Sequence, residues 1–397
     1  MKTLFIFWSE RLNEQRGGIH RIILLLLKHL PLRGFDVHYL YTLDDYQSFY
    51  IFNQEKDKET TLSVANLKQY LLDNHCDIVL GQDGVFSSKL TEIIEGMNLK
   101  DIVFVNEYHS TPILLLLKLS KDYLKFEFKW SKDIKYKLSL ILKYIFYPLW
   151  HKRIRANLAK MYQFNYDHSD ITLLLTEREI PVLEDLLNEK HLDKCYAIPN
   201  PLSWEEIADE SILNEKNKEV LVVSRIYNPE KRIDLMLKIW KELQRRNVVD
   251  DWTLRIVGDG IHREYLMQMA DDMGLKNIRW EGWNDPKPFY RRASIFFMTS
   301  ASEGWGLTLT ESMQTGTVPL AFDTYPALRD IINDGYNGYI VKANNVKLYA
   351  DRVEQLIKDT ELRETIAKNA LQSCRRFTTE KIMDKWAEFL KSLKKYE

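Results

Sequence analysis

The sequence predicts an α/β protein of two Rossmann-like domains that face each other across a crevice. Short apolar runs typical of buried strands alternate with longer helical patterns along the chain, as in parallel sheets covered by helices. The alternation stops at residues 196–202, where two prolines interrupt regular structure, and then starts again. At 397 residues the chain is also too long for one ordinary hydrophobic core. Two domains therefore follow from length and pattern together.

Each half contributes its own series of predicted elements. The strands of the first half are predicted at residues 4–8, 37–41, 78–80, 102–106 and 171–175, and a helix at 19–30. The strands of the second half are predicted at residues 220–224, 254–257, 295–298 and 318–322, and helices at 232–244 and 383–393. The domains are expected at residues 1–201 and 202–377, with the segment 378–397 packing back on the first.

Composition narrows the class of protein. The 56 basic and 57 acidic residues give a net charge of −1, so no general attraction to nucleic acid is expected. Three cysteines, Cys76, Cys195 and Cys374, lie far apart and suggest neither a disulfide framework nor a metal site. No apolar run reaches the roughly 18 residues of a spanning helix, and residues 1–8 resemble a first strand more than a signal peptide. A cytoplasmic protein is expected.

A glycine-containing loop at residues 302–306 follows a predicted strand and precedes a helix beginning near Leu307. Glycines let backbone amides approach a ligand closely, and a helix N-terminus favours an anion. The carboxylates of Glu303 and Glu311 accept hydrogen bonds from hydroxyl groups. The segment therefore predicts a diphosphate flanked by sugar and ribose hydroxyls. The structural alternative is a glycine turn followed by a capped helix with an exposed Glu311.

Two cations lie where the first strand of the second half meets its helix. Arg225 follows the strand, and Lys231 lies at the start of the helix. A guanidinium offers a fork to two phosphate oxygens, whereas an ammonium acts as a mobile point charge. The pair is placed to reach one diphosphate from two directions. Two solvated surface cations are the alternative interpretation.

Taken together, these two pairs resemble the retaining family-four glycosyltransferases of the GT-B fold: Arg225 with Lys231, and Glu303 with Glu311 in an E-x7-E arrangement. Three further motifs resemble the same family: Gly17-Gly18 in the first strand–helix loop, Ile198-Pro-Asn200 at the domain junction and Val257-Gly-Asp-Gly260 after a strand. The resemblance covers nearly the whole chain, with its motifs in the expected order. It implies two Rossmann-like domains in the GT-B architecture.

The resemblance implies roles for the charged residues. Arg225 and Lys231 are expected to hold the donor diphosphate and stabilise the leaving group. Glu311 is expected to bind the ribose hydroxyls, and Glu303 hydroxyls of the transferred sugar. Such an enzyme works by positioning and electrostatic stabilisation, so neither a metal nor a cofactor is expected beyond the nucleotide-sugar donor.

It also implies roles for backbone atoms. The amides of Gly306, Leu307 and Thr308 are expected to complete the phosphate cradle. Gly17 and Gly18 are expected to permit close approach to the phosphates or sugar from the first domain. Both expectations depend on small residues at strand-to-helix loops.

His109, just after a predicted strand, resembles a family histidine near the donor sugar, although a satisfied loop side chain is the alternative. Glu107 nearby is interpreted as structural.

The sequence departs from the family pattern at two places. Residues 323–330 lack the glycine-glycine turn and glutamate that many relatives have, which weakens any transfer of sugar contacts. Pro201 stands where relatives commonly have glycine.

Residues 118–155 form a basic and aromatic stretch inside the expected first domain. Eleven Lys or Arg against three acidic residues give a local balance of +8, with eight interleaved Phe, Tyr or Trp between residues 126 and 150. This composition is typical of a segment that lies against anionic lipid. A solvated helical insertion packed on the domain is an equal alternative, and no nucleic-acid module is recognisable.

The predicted function is retaining hexosyl transfer from a nucleotide-diphosphate sugar to a glycan or lipid-linked acceptor. By resemblance, it belongs to surface polysaccharide or glycolipid assembly, at the cytosolic face of a membrane. Two alternatives stay open. One is a nucleotide-sugar epimerase of the same fold, and the other is a non-catalytic nucleotide-sugar-binding subunit. Transfer of the sugar to an acceptor distinguishes the glycosyltransferase from both alternatives.

Overall fold

The structure is a computed structural model that describes residues 1–13, 17–44, 46–52 and 60–394. Its strands are Lys2–Trp8 (β1), Phe35–Tyr41 (β2), Ser48–Ile51 (β3), Thr60–Ser63 (β4), Cys76–Gly81 (β5), Val103–Glu107 (β6), Ile171–Leu174 (β7), Cys195–Ala197 (β8), Asn217–Val223 (β9), Thr253–Val257 (β10), Ile278–Gly282 (β11), Ala293–Met298 (β12), Val318–Asp323 (β13) and Tyr339–Lys342 (β14). They form two separate sheets, one in each half of the chain.

Helices alternate with the strands in both halves. They are Ile19–His29 (α1), Val64–Asp73 (α2), Ser88–Gly96 (α3), Leu114–Lys118 (α4), Lys121–Trp130 (α5), Ile134–Ile145 (α6), Tyr147–Asp167 (α7), Ile180–Leu187 (α8), Asn228–Lys231 (α9), Ile233–Arg245 (α10), Arg263–Asp272 (α11), Lys287–Arg292 (α12), Leu307–Gln314 (α13), Leu328–Ile331 (α14), Val346–Lys358 (α15), Thr360–Cys374 (α16) and Thr379–Ser392 (α17). The strand–helix alternation predicted from the sequence is confirmed.

The chain divides into two compact units. Unit 1 comprises Met1–Ile113, Lys152–Pro201 and Phe377–Glu397. Unit 2 comprises Leu114–His151 and Leu202–Arg376. Each unit carries one of the two sheets, and both sheets are built mainly of parallel strands.

The sheet of unit 1 has the strand order β4-β3-β2-β1-β5-β6-β7-β8. Strands β2, β1, β5, β6, β7 and β8 pair in parallel in that order. Strands β3 and β4 add an antiparallel edge beside β2. Residues Leu4, Phe5, Ile6 and Phe7 of the central β1 are fully buried. Helices cover both faces of such a sheet, so its central strands are apolar throughout rather than alternating.

The sheet of unit 2 is parallel throughout, in the order β11-β10-β9-β12-β13-β14. Every residue of β12 is buried. The neighbouring helix α10 turns a buried apolar face to the core, including Leu237 and Trp240. Because β9 and β12 are neighbours and run parallel, the loops after their carboxyl ends lie side by side. These are the loops that contain the predicted donor residues.

Both units match the predicted α/β class of Rossmann-like domains, but residues 114–151 differ from the predicted division. The sequence puts them within the first domain, whereas they pack with unit 2. The reason is aromatic packing. The rings of Phe126 and Trp130 on α5 lie 5.0 Å and 4.5 Å from the ring of His262, at the start of α11.

Among the residues that the structure describes, no helix has the length and apolar character needed to cross a bilayer.

Candidate functional site

The segments that follow the carboxyl ends of β9 and β12 are joined by hydrogen bonds. The amide of Ala301 donates to the Glu230 carbonyl over 2.7 Å. The hydroxyl of Thr299 donates to the carbonyls of Lys231 and Arg232, each over 3.0 Å. The loop after one strand therefore fixes the short helix α9 that follows the other. Their side chains are held in a defined relation at the edge where ligands of such sheets collect.

Four side chains at this edge form what we call the ionic cluster: Arg225, Glu230, Lys231 and Glu303. The Lys231 Nζ lies 2.6 Å from Glu303 Oε1 and 3.2 Å from Glu230 Oε1. Arg225 Nη2 lies 3.1 Å from the other oxygen of Glu230. Glu230 therefore bridges the two cations that the sequence singles out, and Lys231 in turn links it to Glu303.

Exposure separates the two cations. The Lys231 side chain is only 16% exposed, whereas that of Arg225 is 64% exposed and lies over the ring of Tyr227. Burial would lower the pKa of Lys231, but Glu303 and Glu230 outweigh it and raise that pKa above its usual range. Lys231 is thus a fixed buried charge, and Arg225 is a cation with access to solvent.

Glu303 is oriented from two sides. Besides the ammonium of Lys231, its Oε1 accepts a hydrogen bond from the Ser300 hydroxyl over 2.6 Å. Its side chain is 17% exposed, so the carboxylate is enclosed by the residues that orient it. A carboxylate fixed in this way is suited to accept hydrogen bonds from a ligand's hydroxyls.

The helix α13 begins directly after this loop. Gly306 caps it with φ 93°, a left-handed conformation that favours glycine, and a Cβ there would meet the hydroxyl of Tyr325 at 2.6 Å. Leu307 and Thr308 form its first turn, whose amides have no carbonyl partners within the helix. Glu311 follows one turn later, and its Oε1 accepts from the Ser203 hydroxyl over 2.6 Å.

The segment after β13, where the chain departs from the family pattern, packs on the same loop. The Thr324 hydroxyl donates to the Ser300 carbonyl over 2.8 Å, and buried Tyr325 lies against Gly306. Asp323 and Arg329 form an ion pair of 2.6 Å at its surface. This segment therefore supports the glycine loop, although it lacks the glycine-glycine turn and the glutamate that many relatives have here.

In unit 1, the loop between β1 and α1 contains Gly17 and Gly18. Gly18 is the N-cap of α1 with φ 64°, which a side chain would adopt only with strain. Among the described residues, no atom lies within 4 Å of a Cβ built on either glycine. The backbone at Gly17 and Gly18 is therefore uncrowded by the described residues beside the N-terminus of α1.

Also in unit 1, three buried side chains form what we call the neutral cluster: Gln82, Glu107 and His109. The Gln82 amide nitrogen donates to Glu107 over 2.6 Å, and its oxygen lies 2.5 Å from His109 Nε2. Since that oxygen only accepts, Nε2 carries the proton and Nδ1 is left as an acceptor. Burial raises the pKa of Glu107 to about 8 and lowers that of His109 to about 3. Both groups are therefore uncharged near neutral pH.

The predicted site residues thus lie in two groups. Arg225, Lys231, Glu303, Gly306, Leu307, Thr308 and Glu311 lie in unit 2, and Gly17, Gly18 and His109 lie in unit 1. Their roles stay predictions. Sequence reasoning missed the residues that orient them: Gln82, Ser203, Glu230, Ser300 and Tyr325. Only Glu230 had a local signal, since it directly precedes Lys231.

Comparison with known proteins finds its matches among glycosyltransferases. The model of the family described as glycosyl transferases group 1 matches residues 204–373. An uncharacterized glycosyltransferase of Haemophilus influenzae is 22% identical over 376 residues, covering 94% of this chain and 96% of the relative. The amylovoran biosynthesis glycosyltransferase AmsD of Erwinia amylovora is 27% identical over 241 residues, covering 59% and 66%. The structure of HepE from Anabaena in complex with UDP has a TM-score of 0.66 at 16% identity, covering 99% and 100%.

Proposed function

We propose that this chain, whose residues 204–373 match the model of the glycosyl transferases group 1 family, transfers a hexosyl group with retention. The donor is a nucleotide-diphosphate sugar, and the acceptor is a glycan or a lipid-linked glycan. The observation that carries the proposal is the ionic cluster. It sets a buried, charged Lys231 beside Glu303, and Glu230 bridges Lys231 to the exposed Arg225.

The cluster provides what departure of a nucleoside diphosphate requires. As the anomeric carbon–oxygen bond breaks, negative charge grows on the diphosphate oxygens, which Arg225 and Lys231 stabilise. The acceptor oxygen bonds to the same carbon from the same face, and its proton passes to the departing phosphate. The amides of Gly306, Leu307 and Thr308 add further donors at the start of α13. No step in this proposal needs a metal ion.

The two carboxylates divide the rest of the donor between them. Glu303, enclosed beside Lys231, accepts from hydroxyls of the sugar, while Glu311 accepts from those of the ribose. The Ser203 hydroxyl donates to Glu311 over 2.6 Å, so this carboxylate has a hydroxyl within hydrogen-bond distance. We further propose that His109, whose Nδ1 is left as an acceptor, and the glycines Gly17 and Gly18 bind the donor.

The setting we propose is surface polysaccharide or glycolipid assembly at the cytoplasmic face of a membrane. Its support is a relative that is named for amylovoran biosynthesis, and a structural neighbour that is described with bound UDP. The basic stretch at residues 118–155 adds an anionic membrane surface as a partner. An acceptor with a lipid anchor would be reached from such a surface.

A panel of nucleotide sugars tests the proposal. We expect one donor to bind measurably by calorimetry, to be hydrolysed slowly alone, and to transfer its sugar to an added glycan or polyprenyl-linked acceptor. The anomeric proton coupling of the product should match that of the donor. Accumulation of an epimerised donor would instead indicate an epimerase. Binding with neither hydrolysis nor transfer would indicate a non-catalytic subunit.

A further inference from the structure

The exposed apolar surface of this protein is concentrated in one short segment. Eighteen large apolar side chains are exposed among the described residues, and ten of them lie between residues 115 and 149. Single exposed apolar side chains are ordinary, whereas a contiguous group marks an interaction site. The segment belongs to unit 2 and contains the helices α5 and α6.

Helix α6 collects half of these side chains on one face. They are Ile134, Leu138, Ile141, Leu142 and Ile145, which are 40% to 74% exposed. Their spacing of four, seven, eight and eleven residues from the first places them on a single stripe of an α-helix. On the other side of α6, Leu140 is 1% exposed and packs inward. The apolar stripe therefore points away from the unit that carries it.

Lysines border this stripe. At 100° per residue, Lys135 falls beside one edge of the stripe and Lys137 beside the other. The Lys137 Nζ also lies 5.0 Å from the ring centroid of Phe128, itself exposed on α5. Lys125, Lys129 and Lys132 are exposed on α5 and on the turn that follows it. An apolar stripe between cations is the pattern of a helix lying in an anionic lipid interface.

The inner side of the same segment is fixed to unit 2. Phe126 and Trp130 of α5 pack on His262, and Asp122 lies 3.7 Å from Arg232, next to Lys231 in the chain. Tyr136 of α6 donates to the buried Glu127 of α5 over 3.2 Å, which ties the two helices together. The stripe is therefore displayed on a rigid support rather than on a free loop.

We propose that the outer face of α6 docks on the surface of an anionic lipid bilayer, so that the donor-binding unit is the part of this protein held at the membrane. The helix has twelve residues and is about 18 Å long, so it lies along the surface and does not cross it. This proposal rests on the proposed function in one respect only: the purpose of docking would be access to a lipid-linked acceptor. Membrane binding itself is measured without any sugar.

Charge favours lipid over a second copy of this chain. In a symmetric dimer the same patch meets itself, so the lysines that border one stripe would face those of the other. Like charges brought together across an interface are unfavourable, whereas the phosphates of anionic lipids neutralise them. Within residues 118–155, only Asp122, Glu127 and Asp133 are acidic, too few to pair with eleven basic residues.

Vesicle co-sedimentation of the full chain tests the surface. We expect binding to phosphatidylglycerol vesicles at least about tenfold tighter than to phosphatidylcholine vesicles, and weakened by salt. Leu138→Ser with Leu142→Ser should lower the affinity at least about tenfold, because both side chains leave the lipid interface. The control is Leu32→Ser with Leu72→Ser, two exposed leucines of unit 1, which should bind as the wild type does.

The basic border is tested separately. Changing Lys129, Lys132, Lys135 and Lys137 to Gln should remove the preference for anionic vesicles. The control changes four exposed lysines elsewhere on unit 2 to Gln, which removes the same charge: Lys276, Lys342, Lys347 and Lys368. This control variant should keep most of the preference for anionic vesicles. Donor hydrolysis without vesicles should be unchanged in every variant. Its absence in the wild type would count against the proposed function and not against the docking surface.

Three results would overturn the proposal. They are a wild type that ignores anionic vesicles, a stripe variant that binds them equally well, and a control set that loses binding as fully as the border set. If the purified chain is a dimer that Leu138→Ser with Leu142→Ser converts to a monomer, while vesicles are ignored, a second copy occupies the stripe instead.

Discussion

The ionic cluster of unit 2 and the neutral cluster of unit 1 respond to burial in opposite ways. Lys231 is enclosed between Glu230 and Glu303 and keeps its charge, its pKa being raised by those carboxylates against the effect of burial. Glu107 and His109 are enclosed with the uncharged Gln82 between them, and burial moves both pKa values toward the neutral forms. The clusters differ in the charge of the facing groups: Lys231 faces two carboxylates, whereas Glu107 Oε1 lies 3.8 Å from Nδ1 of the His109 imidazole, which burial keeps neutral.

The comparison separates two kinds of binding group. Paired charges in a buried site remain ionised and act on a ligand by electrostatic attraction. Neutral groups in a hydrogen-bonded chain act by direction, because each donor and acceptor is fixed by the next. We therefore expect the ionic cluster to contribute most of the free energy that stabilises the diphosphate. The neutral cluster should orient one sugar hydroxyl, and substitutions in it should reduce turnover much less.

The largest effect is predicted for Lys231→Ala. The change removes the buried cation that serves the diphosphate and leaves Glu230 and Glu303 without it, so turnover should fall by on the order of 100-fold or more. Arg225→Ala should reduce turnover less, because its side chain is 64% exposed and screened by solvent. Steady-state kinetics with the donor found in the panel measures both.

Matched controls exist for this prediction. Lys238→Ala removes an exposed cation of α10 that pairs with Asp234, and Arg245→Ala one that pairs with Glu242, both outside the cluster. Both should keep near wild-type turnover. Loss of a buried partner also destabilises folding, so thermal unfolding must show that Lys231→Ala is folded at the assay temperature. A folded Lys231→Ala with wild-type kinetics removes this residue from the site.

An intermediate effect is predicted for the two carboxylates of unit 2. Glu311→Gln should weaken binding of the free nucleoside diphosphate and of the whole donor alike, by roughly 10- to 100-fold for a lost charge-assisted hydrogen bond. Glu303→Gln should leave the nucleoside diphosphate nearly unaffected and weaken only the sugar-dependent part. Calorimetry with both ligands separates the roles. The assignment is wrong if both variants bind both ligands as the wild type does.

Ser203→Ala sharpens this prediction. Its hydroxyl donates to Glu311, so after its removal a ligand that binds this carboxylate no longer competes with that intramolecular hydrogen bond. We expect nucleoside diphosphate binding that is unchanged or slightly tighter. Substantially weaker binding would mean that Ser203 contacts the ligand together with Glu311.

The sequence was sufficient for the elements whose pattern is local. Buried parallel strands such as β1, β9 and β12 are continuous apolar runs, and the helix α13 begins where Gly306 was predicted to end the loop. Residues at the ends of parallel strands share one edge of the sheet, so Lys231 and Glu303 could be expected together. Lys231 Nζ and Glu303 Oε1 lie 2.6 Å apart at that edge.

The remaining features depend on tertiary contacts. Strands β3 and β4 were not predicted, because four-residue segments such as Thr60–Ser63 are too short and polar to show a period. The packing of α5 on unit 2 depends on rings that meet His262, more than 130 residues away in the chain. Gln82 likewise joins Glu107 to His109 only because β5 and β6 are neighbours in the sheet.

The smallest effect on activity is predicted for Glu107→Gln. Because burial raises the pKa of Glu107 to about 8, its carboxyl already carries a proton near pH 7, and an amide of the same shape replaces a neutral group. Turnover should stay within about twofold of wild type, as expected for exchange between uncharged hydrogen-bonding partners. The exposed Glu92→Gln is the control. A loss as large as that of Glu303→Gln would mean that Glu107 acts as a carboxylate, and the comparison between the clusters would fail.

Stability against pH detects the same proton independently of activity. Native Glu107 retains a proton that the unfolded chain releases above about 4.5, so this residue lowers the free energy of unfolding as pH rises from there to about 8. His109 acts in the opposite sense, because the unfolded chain binds a proton there that the folded protein does not, which lowers the free energy of unfolding as pH falls from about 6.5 toward 3. Between about pH 7 and 8, His109 is neutral in both states, so of these two groups only Glu107 contributes to the pH dependence. Over that interval the melting temperature of Glu107→Gln should rise relative to wild type, whereas that of Glu92→Gln should not.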